Sequence, residues 1–325
     1  TGTYHPQAGP VRPHPVTGLC IEGSTVKWEW SENAFDRSSP GAFFQRPFTL
    51  TGPNEFEWSG PVVRVQKVRP APNVPKLPTN HLALPLEAVA VLLPKNTKEV
   101  SKIMHFCNHN NQEIIIHGGL TNLVGGTETK KKQLVLSLEK MNKIEDLDQE
   151  SRTITSQSGV IIEDLINAAS EKNLLLPLNF GAKGSAQIGG AISTNAGGLR
   201  VFKFGMIRHM ILGLEVVLPD GTILSSMKKI LKDNSGYDLK QLFIGSEGTL
   251  GVVTKVILRL HEKPSSRTSA IAGINQYSNV IKLLKYLEKE LSGALSGFEI
   301  MWKNTYDLMT LEPVSYTHLT LPTKA

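Results

Sequence analysis

Four glycines stand within ten residues in His117-Gly118-Gly119-Leu120-Thr121-Asn122-Leu123-Val124-Gly125-Gly126. Residues 113–116 directly before them read Glu-Ile-Ile-Ile, a short β-branched run that is typical of a buried strand. Glycine allows positive φ and lets a ligand approach the backbone, so clustered glycines expose successive N–H donors to an anion. The sequence therefore predicts a strand that leads into a phosphate-binding loop.

Two further glycine-rich segments follow at residues 181–198 and 245–251, and the first of them has six glycines in eighteen residues. Neither the P-loop nor the Rossmann motif for phosphate binding fits these segments. The P-loop pattern G-x-x-x-x-G-K-[ST] is absent, which argues against an ATPase. The Rossmann spacing G-x-G-x-x-G is absent as well, since residues 245–251 read G-x-x-G-x-x-G, and this disfavours a nicotinamide fold. Several backbone donors, with hydroxyls nearby, could hold a dinucleotide without a lysine.

Regular elements are predicted around these segments. Asn96 and Glu99 form a capping-box pattern, and the apolar spacing that follows predicts a helix that ends near residues 108–111. A second helix is predicted over 159–171. Strands are predicted at 134–138, 153–157, 212–218, 222–224 and 252–260, and the turn Pro219-Asp220-Gly221 indicates a hairpin.

Composition excludes several classes of protein. The chain has 325 residues, 35 Lys plus Arg against 29 Asp plus Glu, and only 2 cysteines. A net charge of +6 without a basic stripe makes nucleic acid a poor candidate partner. Two cysteines cannot build a disulfide scaffold, and no apolar stretch approaches the ~18 residues of a transmembrane helix. We expect no transmembrane segment, and we expect the cytoplasm as the location.

The chain divides by composition into four parts. Residues 1–80 hold 12 of the 19 prolines and show no sustained period, so we expect little regular structure there, in a disordered or non-native segment. Residues 81–264 show the periodic patterns of helices and strands and form the expected FAD-binding part described below. Residues 265–313 predict one β-α-β unit, with strands at 268–274 and 294–301 around a helix at 279–291. Residues 314–325 look like a non-native tail.

Three segments carry a family resemblance: residues 117–126, 184–198 and 232–251. They resemble the pyrophosphate loop and two flavin loops of the vanillyl-alcohol-oxidase and p-cresol-methylhydroxylase superfamily. Within it, the chain is similar to FAD-linked D-2-hydroxy-acid dehydrogenases of the D-2-hydroxyglutarate, D-lactate and glycolate type. The resemblance implies an α+β fold: a two-subdomain FAD-binding domain of the p-cresol-methylhydroxylase type, followed by the first β-α-β of a truncated substrate, or cap, domain.

The resemblance also implies which residues bind FAD. The pyrophosphate would be held by Gly118, Gly119, Thr121, Asn122, Gly125 and Gly126. The flavin and ribityl chain would be lined by Gly184, Ser185, Gly189, Gly190, Ser193, Thr194, Asn195, Gly197 and Gly198, and closed by Glu247, Gly248, Gly251 and Val253. For Asn195, a role as a turn residue is the alternative.

Two positions depart from the family's pattern. Leu120 stands where asparagine is usual, and Asn122 where glycine is usual. Asparagine tolerates positive φ, so we expect the turn at Asn122 to survive. Flavin affinity is the property that Leu120 puts in question.

The implied reaction is hydride transfer from a 2-hydroxy acid to flavin N5, with an electron carrier protein or a quinone as acceptor. In the family, a zinc held by two histidines and a carboxylate lies in a C-terminal domain for which this sequence offers no counterpart. We therefore name no catalytic residue and no metal ligand. Two alternatives stay open: an FAD-binding fragment without turnover, and a flavin reductase of the UDP-N-acetylenolpyruvoylglucosamine type.

Overall fold

The computed structural model describes residues 87–311, without the side chains of 308–311, and five short strands within residues 27–67. The strands are β1 (Lys27–Glu29), β2 (Phe43–Phe44), β3 (Phe48–Leu50), β4 (Glu55–Trp58), β5 (Val63–Lys67), β6 (Ala90–Leu93), β7 (Ile114–His117), β8 (Leu134–Ser137), β9 (Ile144–Asp148), β10 (Thr153–Gln157), β11 (Leu174–Leu175), β12 (Ile211–Val217), β13 (Ile223–Ser226), β14 (Val252–Arg259) and β15 (His261–Glu262). The helices are α1 (Thr97–His109), α2 (Ile162–Glu171), α3 (Ile188–Ser193), α4 (Val201–Phe204), α5 (Lys240–Phe243), α6 (Tyr277–Glu290) and α7 (Lys303–Leu311). Short 3-10 helices span Gly181–Gly184 and Ile207–Met210.

The described residues fall into two compact units. The first contains residues up to Met141 together with Val216–Leu224 and Leu250–Thr254, and the second contains Asn142–Glu215, Ser225–Thr249 and the chain from Lys255 onward. No helix in the described part of the chain is both long and apolar enough to cross a membrane. The predicted boundaries at residues 81, 264 and 313 remain predictions.

The first unit is built on a mixed sheet of strand order β2-β5-β6-β8-β7. Its strands β6, β7 and β8 are parallel, whereas β5 runs antiparallel to β6. One face of α1 packs on this sheet through Val100, Ile103, Met104 and Cys107, as the sequence period predicts. Burial raises the pKa of the Cys107 thiol to about 12.

Helix α1 begins where the capping box predicts. The Asn96 side-chain oxygen accepts the Glu99 backbone N–H at 3.0 Å, and the Glu99 carboxylate in turn accepts the Lys95 N–H at 2.8 Å. The first bond satisfies a donor that the first helical turn leaves without a partner, and the second holds the residue before the cap against the helix. The predicted helix and its end near residues 108–111 are confirmed.

A five-stranded sheet of strand order β13-β12-β14-β10-β9 contributes all of β9 and β10 and the larger part of β12 and β14 to the second unit. Strand β10 pairs antiparallel with both β14 and β9, and its register with β9 shifts between Thr155 and Ser156. Helix α2 buries Ile162, Leu165 and Ala169 in this unit. The predicted strands at 153–157 and 252–260 are confirmed, as is the hairpin formed by β12 and β13.

One expectation is wrong. Residues 268–274 and 294–301 form no strands, although α6 lies between them as predicted, so the β-α-β unit is not formed. A strand needs a ladder partner, and neither segment has one within residues 87–311. Within residues 1–80 the structure describes β1–β5, strands of two to five residues that are too short to show a period, and the expectation of little regular structure there stays a prediction. The expectation for residues 314–325 lies outside the described residues.

Candidate functional site

The first glycine-rich segment, residues 118–126, follows β7 in the first unit. Its left-handed backbone positions are Gly125 at φ +75° and Leu120 at φ +56°. Asn122 is not left-handed; its side-chain oxygen accepts the Val124 N–H at 3.2 Å and its amide donates to the Thr127 hydroxyl at 3.0 Å. Asn122 therefore closes the loop through its side chain, from a backbone conformation that does not need glycine.

His117 anchors the start of this segment. Its side chain is buried, and its Nε2 lies 2.9 Å from the Thr127 carbonyl oxygen, to which it donates. Burial lowers the pKa of His117 below its ordinary value, an effect that the Thr127 hydrogen bond opposes. The His117 ring thus holds the two ends of the loop together. No sequence pattern predicts this role.

The second segment, residues 184–198, lies in the second unit around helix α3. The Gly189 N–H donates to the Ser158 carbonyl at 2.7 Å, and a Cβ on Gly189 would approach the Ser158 Cβ to 2.7 Å. A Cβ on Gly190, by contrast, would meet nothing within 4 Å. Gly189 is therefore required by internal packing, whereas Gly190 leaves open space beside the backbone.

Gly197 and Gly198 also serve internal packing. A Cβ on Gly198 would lie 2.0 Å from the Asn179 carbonyl oxygen, and one on Gly197 would lie 2.5 Å from the Met206 sulfur. Such distances are far inside van der Waals contact, so neither position accepts a side chain. Glycine at these two positions does not by itself indicate a ligand.

The polar residues that end α3 already have partners within the second unit. The Ser193 hydroxyl donates to the Gly189 carbonyl at 2.9 Å, and the Thr194 hydroxyl donates to the Gly190 carbonyl at 3.1 Å. Their oxygens can still accept hydrogen bonds. Asn195 takes φ +48° and its side-chain oxygen accepts the Arg208 N–H at 3.3 Å, which fits the alternative role as a turn residue.

Residues 240–249 of the third segment lie against the second segment. The Gly245 N–H donates to the Ile192 carbonyl at 3.0 Å, and the Glu247 N–H donates to the Ser193 carbonyl at 2.8 Å. Gly245, Glu247 and Gly248 are all left-handed, at φ +84°, +54° and +78°. The structure thus brings two segments together that are about fifty residues apart in sequence.

Arg208 fixes this arrangement, and the sequence offered no signal for it. Its guanidinium donates to the Gln241 carbonyl at 3.0 Å, to the Gln241 side-chain oxygen at 2.6 Å and to the Ile244 carbonyl. Its backbone N–H is the donor to Asn195 described above. Hydrogen bonds of a single arginine therefore connect Asn195 of the second segment to Gln241 and Ile244 of the third.

The remaining predicted residues are distributed over both units. Gly251 and Val253 belong to the first unit, where Val253 is buried in β14. Gly184 and Ser185 are exposed in the second unit, next to the ion pair of Lys183 with Glu163. A Cβ on Gly184 would lie 3.2 Å from the Glu163 carboxylate.

Buried polar atoms without partners lie close to α3. Ser158 Oγ and Gln187 Oε1 have no hydrogen-bond partner among the described residues, and neither has Ser156 Oγ. Such groups are costly to bury unless something satisfies them. Together with the open space at Gly190, they are the features expected where a polar cofactor covers the backbone, so the residues of the second unit fit FAD.

Comparison with known proteins gives the same cofactor. A family described as FAD binding domain matches residues 88–226. A relative from Schizosaccharomyces pombe, provisionally named as a mitochondrial D-lactate dehydrogenase, is 46% identical over 210 residues, which are 65% of this chain and 40% of the relative. The mitochondrial D-2-hydroxyglutarate dehydrogenase of Danio rerio is 42% identical over 219 residues, which are 67% of this chain and 41% of the relative.

A solved structure agrees at the level of the fold. Alkyldihydroxyacetonephosphate synthase superposes with a TM-score of 0.50 at 26% identity, over 55% of this chain and 32% of that one. The chain spans about two fifths of the length of the relatives named above.

The expected cytoplasmic location is wrong, because both relatives carry mitochondrial in their names. Composition and the absence of an apolar stretch do not distinguish the cytoplasm from the inside of an organelle. The expectation of FAD as cofactor is confirmed, because residues 88–226 of this chain match the FAD binding domain family.

Proposed function

We propose that this chain is the FAD-binding part of a mitochondrial oxidoreductase that oxidises a D-2-hydroxy acid. The observation that carries the proposal is the pair of backbone hydrogen bonds, Gly245 to Ile192 and Glu247 to Ser193, beside the open face of Gly190. When bound, FAD supplies the hydride acceptor for oxidation of a CH–OH group. The names of the relatives support D-2-hydroxyglutarate or D-lactate as the substrate.

The proposed roles of the residues follow from their surroundings. In the second unit, Gly190 gives the cofactor access to the backbone of α3, while Gly189, Gly197 and Gly198 let the backbone fold closely enough to form that surface. In the first unit, the loop of residues 118–126 offers N–H groups to phosphate oxygens. An electron carrier protein or a quinone remains our proposed acceptor.

Flavin binding and turnover can be tested separately on the purified chain. We expect a yellow protein whose visible absorption shows bound flavin, or one that becomes so after refolding with excess FAD. A preparation that stays colourless under those conditions would contradict the cofactor assignment within this chain.

Turnover is tested by anaerobic addition of D-2-hydroxyglutarate, D-lactate or glycolate to the flavin-loaded chain. Bleaching of the flavin by the D-enantiomer, with the L-enantiomer of the first two acids as control, would support the proposed oxidation. Flavin that binds but is not bleached by any of the three acids would mean that this chain binds FAD without turnover. The electron acceptor is identified separately, by testing whether a quinone or an electron carrier protein re-oxidises the reduced flavin.

A further inference from the structure

A cavity of about 100 Å³ opens in the second unit, where the start of β10 lies beside the end of β14. The Leu260 N–H donates to the Arg152 carbonyl at 2.7 Å, which holds these two strand ends together. Leucines form the apolar side of the cavity, and Glu262 is the one carboxylate among the described residues that line it. Its basic lining residues are Arg152, Lys229, Arg259 and His261.

The cavity lies at the opposite end of β10 from helix α3. Arg152 comes directly before this five-residue strand, whereas Ser158, which accepts the Gly189 N–H, comes directly after it. At ~3.3 Å for each residue of a strand, the two ends of β10 lie roughly 15 Å apart. None of the lining residues is assigned to FAD or stands next to such a residue in the sequence. A ligand in this cavity would therefore not occupy the space beside Gly190.

Two of the four basic residues already have carboxylate partners. The Lys229 ammonium lies 2.6 Å from an Asp146 carboxylate oxygen, and Arg152 Nη1 lies 3.3 Å from Glu262 Oε1. Arg259, which is exposed, forms no ion pair with any carboxylate that the structure describes. Its guanidinium is therefore the charge in this cavity that lacks a counter-ion.

The charges that act on the His261 ring are all positive. Burial lowers its pKa, and the charges of Arg259, Arg152 and Lys203 lower it further. No carboxylate of the described residues opposes this effect. The ring also meets the Phe204 ring edge-on, with the two centroids 4.9 Å apart, which fixes its position. An anion bound beside His261 would relieve the repulsion and favour the charged ring.

Size and charge restrict the ligand. At ~30 Å³ for each water of liquid volume, the cavity holds the equivalent of about three waters, enough for one tetrahedral anion and too little for a dinucleotide. A phosphate group carries about −1.5 to −2 charges at neutral pH, whereas a carboxylate carries one, so positive surroundings favour phosphate. The Arg259 guanidinium can donate two parallel hydrogen bonds to phosphate oxygens, and the His261 ring can donate another. We propose that Arg259 and His261 bind a phosphate group in this cavity, as inorganic phosphate or as the end of a small phosphomonoester.

The proposal is tested by calorimetric titration of the full chain in a phosphate-free buffer, with and without saturating FAD. Inorganic phosphate should bind at one site in the FAD-saturated chain, and acetate should bind at least tenfold more weakly. Ethyl phosphate distinguishes the two forms of the ligand. Binding at least as tight as that of inorganic phosphate would assign the cavity to a phosphomonoester, and weaker binding would assign it to inorganic phosphate.

Variants and one spectroscopic signal locate the bound anion. Arg259→Gln should weaken phosphate binding at least tenfold, because the cavity loses its unpaired charge, and His261→Gln should weaken it severalfold. The control Arg267→Gln removes the same charge from an exposed position that does not line the cavity, and it should leave the affinity unchanged. In the unmodified chain, phosphate should raise the pKa of His261, as followed by the NMR signals of its ring protons.

Three results would overturn the proposal: no binding of phosphate, loss of phosphate binding when FAD saturates the chain, or an equal loss in Arg259→Gln and Arg267→Gln. The second result would mean that phosphate occupies the FAD site instead. Circular dichroism of each variant shows whether the fold persists. Should Arg259→Gln fail to fold, Arg259→Lys keeps the charge but loses the paired hydrogen bonds. It should still weaken phosphate binding severalfold, and unchanged binding in that variant would count against the proposed contact.

Discussion

At the scale of single residues, the same amino acid serves different purposes in neighbouring positions. Gly189 and Gly190 both lie in α3, yet a Cβ would collide with Ser158 at the first and would meet open space at the second. Leu120 shows the opposite case, a residue with a side chain at φ +56°. For an L-residue this conformation costs about 1–2 kcal/mol, so the loop that follows β7 is formed against a local preference of its sequence.

Alanine should have different effects at Gly190 and at Gly189. Gly190→Ala should stabilise the apo chain by about 0.5–1 kcal/mol, because alanine favours a helix over glycine. It should weaken FAD binding at least tenfold, because its methyl group occupies the space left for the cofactor. Gly189→Ala should instead destabilise the fold by about 1–3 kcal/mol through overpacking. Urea unfolding of the apo chain and fluorescence titration with FAD measure the two effects.

Gly181→Ala is the control for this pair. Gly181 also has nothing within 4 Å of its Cβ position, but it is not among the residues predicted to bind FAD. We expect normal FAD affinity in this variant. If Gly190→Ala folded and bound FAD as tightly as Gly181→Ala, Gly190 would not line the cofactor.

At the scale of elements, the second and third glycine-rich segments are joined by backbone hydrogen bonds and by one side chain. Arg208 contacts Gln241 and Ile244 through its guanidinium and Asn195 through its N–H. A planar guanidinium can serve several carbonyls at fixed angles, which an ammonium group cannot do. The geometry of this pair of segments therefore depends on an arginine in the 3-10 helix Ile207–Met210.

Replacing this arginine tests the dependence. In Arg208→Lys, the amides of Gly245 and Glu247 should exchange hydrogen at least tenfold faster, because the guanidinium no longer holds Gln241 and Ile244, which precede these two donors. FAD affinity should fall severalfold in the same variant. The control is Arg152→Lys, whose exposed ion pair with Glu262 contributes little to stability. Unchanged protection of both amides in Arg208→Lys would show that the segments hold together without this residue.

At the scale of the whole molecule, the described helices differ in how they are supported. Helix α1 buries five residues in the core of the first unit, whereas α6, with fourteen residues, buries none. Exposed apolar side chains continue beyond it, including Trp302 and Tyr306. An isolated helix of this length is marginal in water, because most helical stability comes from packing.

Hydrogen exchange of the full chain tests this difference. We expect amides of α6 to exchange through local opening, with protection at least a hundredfold below that of α1. Mass spectrometry of peptides from the two helices gives both values in one experiment, so α1 is the internal control. Equal protection would mean that α6 is packed against residues outside those that the structure describes.

Sequence patterns determined the elements whose evidence is local. The spacing of apolar residues predicted α1 and its core face, the cap at Asn96 set its start, and short apolar runs predicted β7, β8 and β14. The glycine-rich segments predicted a dinucleotide site, and their resemblance to a known superfamily implied that the cofactor is FAD. Each of these signals is contained within a few consecutive residues, where period, caps and backbone freedom act.

Only the tertiary structure decided what each glycine and each charge does. Ser158 and Asn179 determine which glycines are packed, Arg208 joins segments about fifty residues apart, and Arg267 comes beside Arg200 from 67 positions away. The failed strands at 268–274 and 294–301 have the same explanation, since a strand depends on a partner that its own sequence does not specify. Local propensity fixes backbone conformation, while contacts between distant residues fix packing, charge and space for ligands.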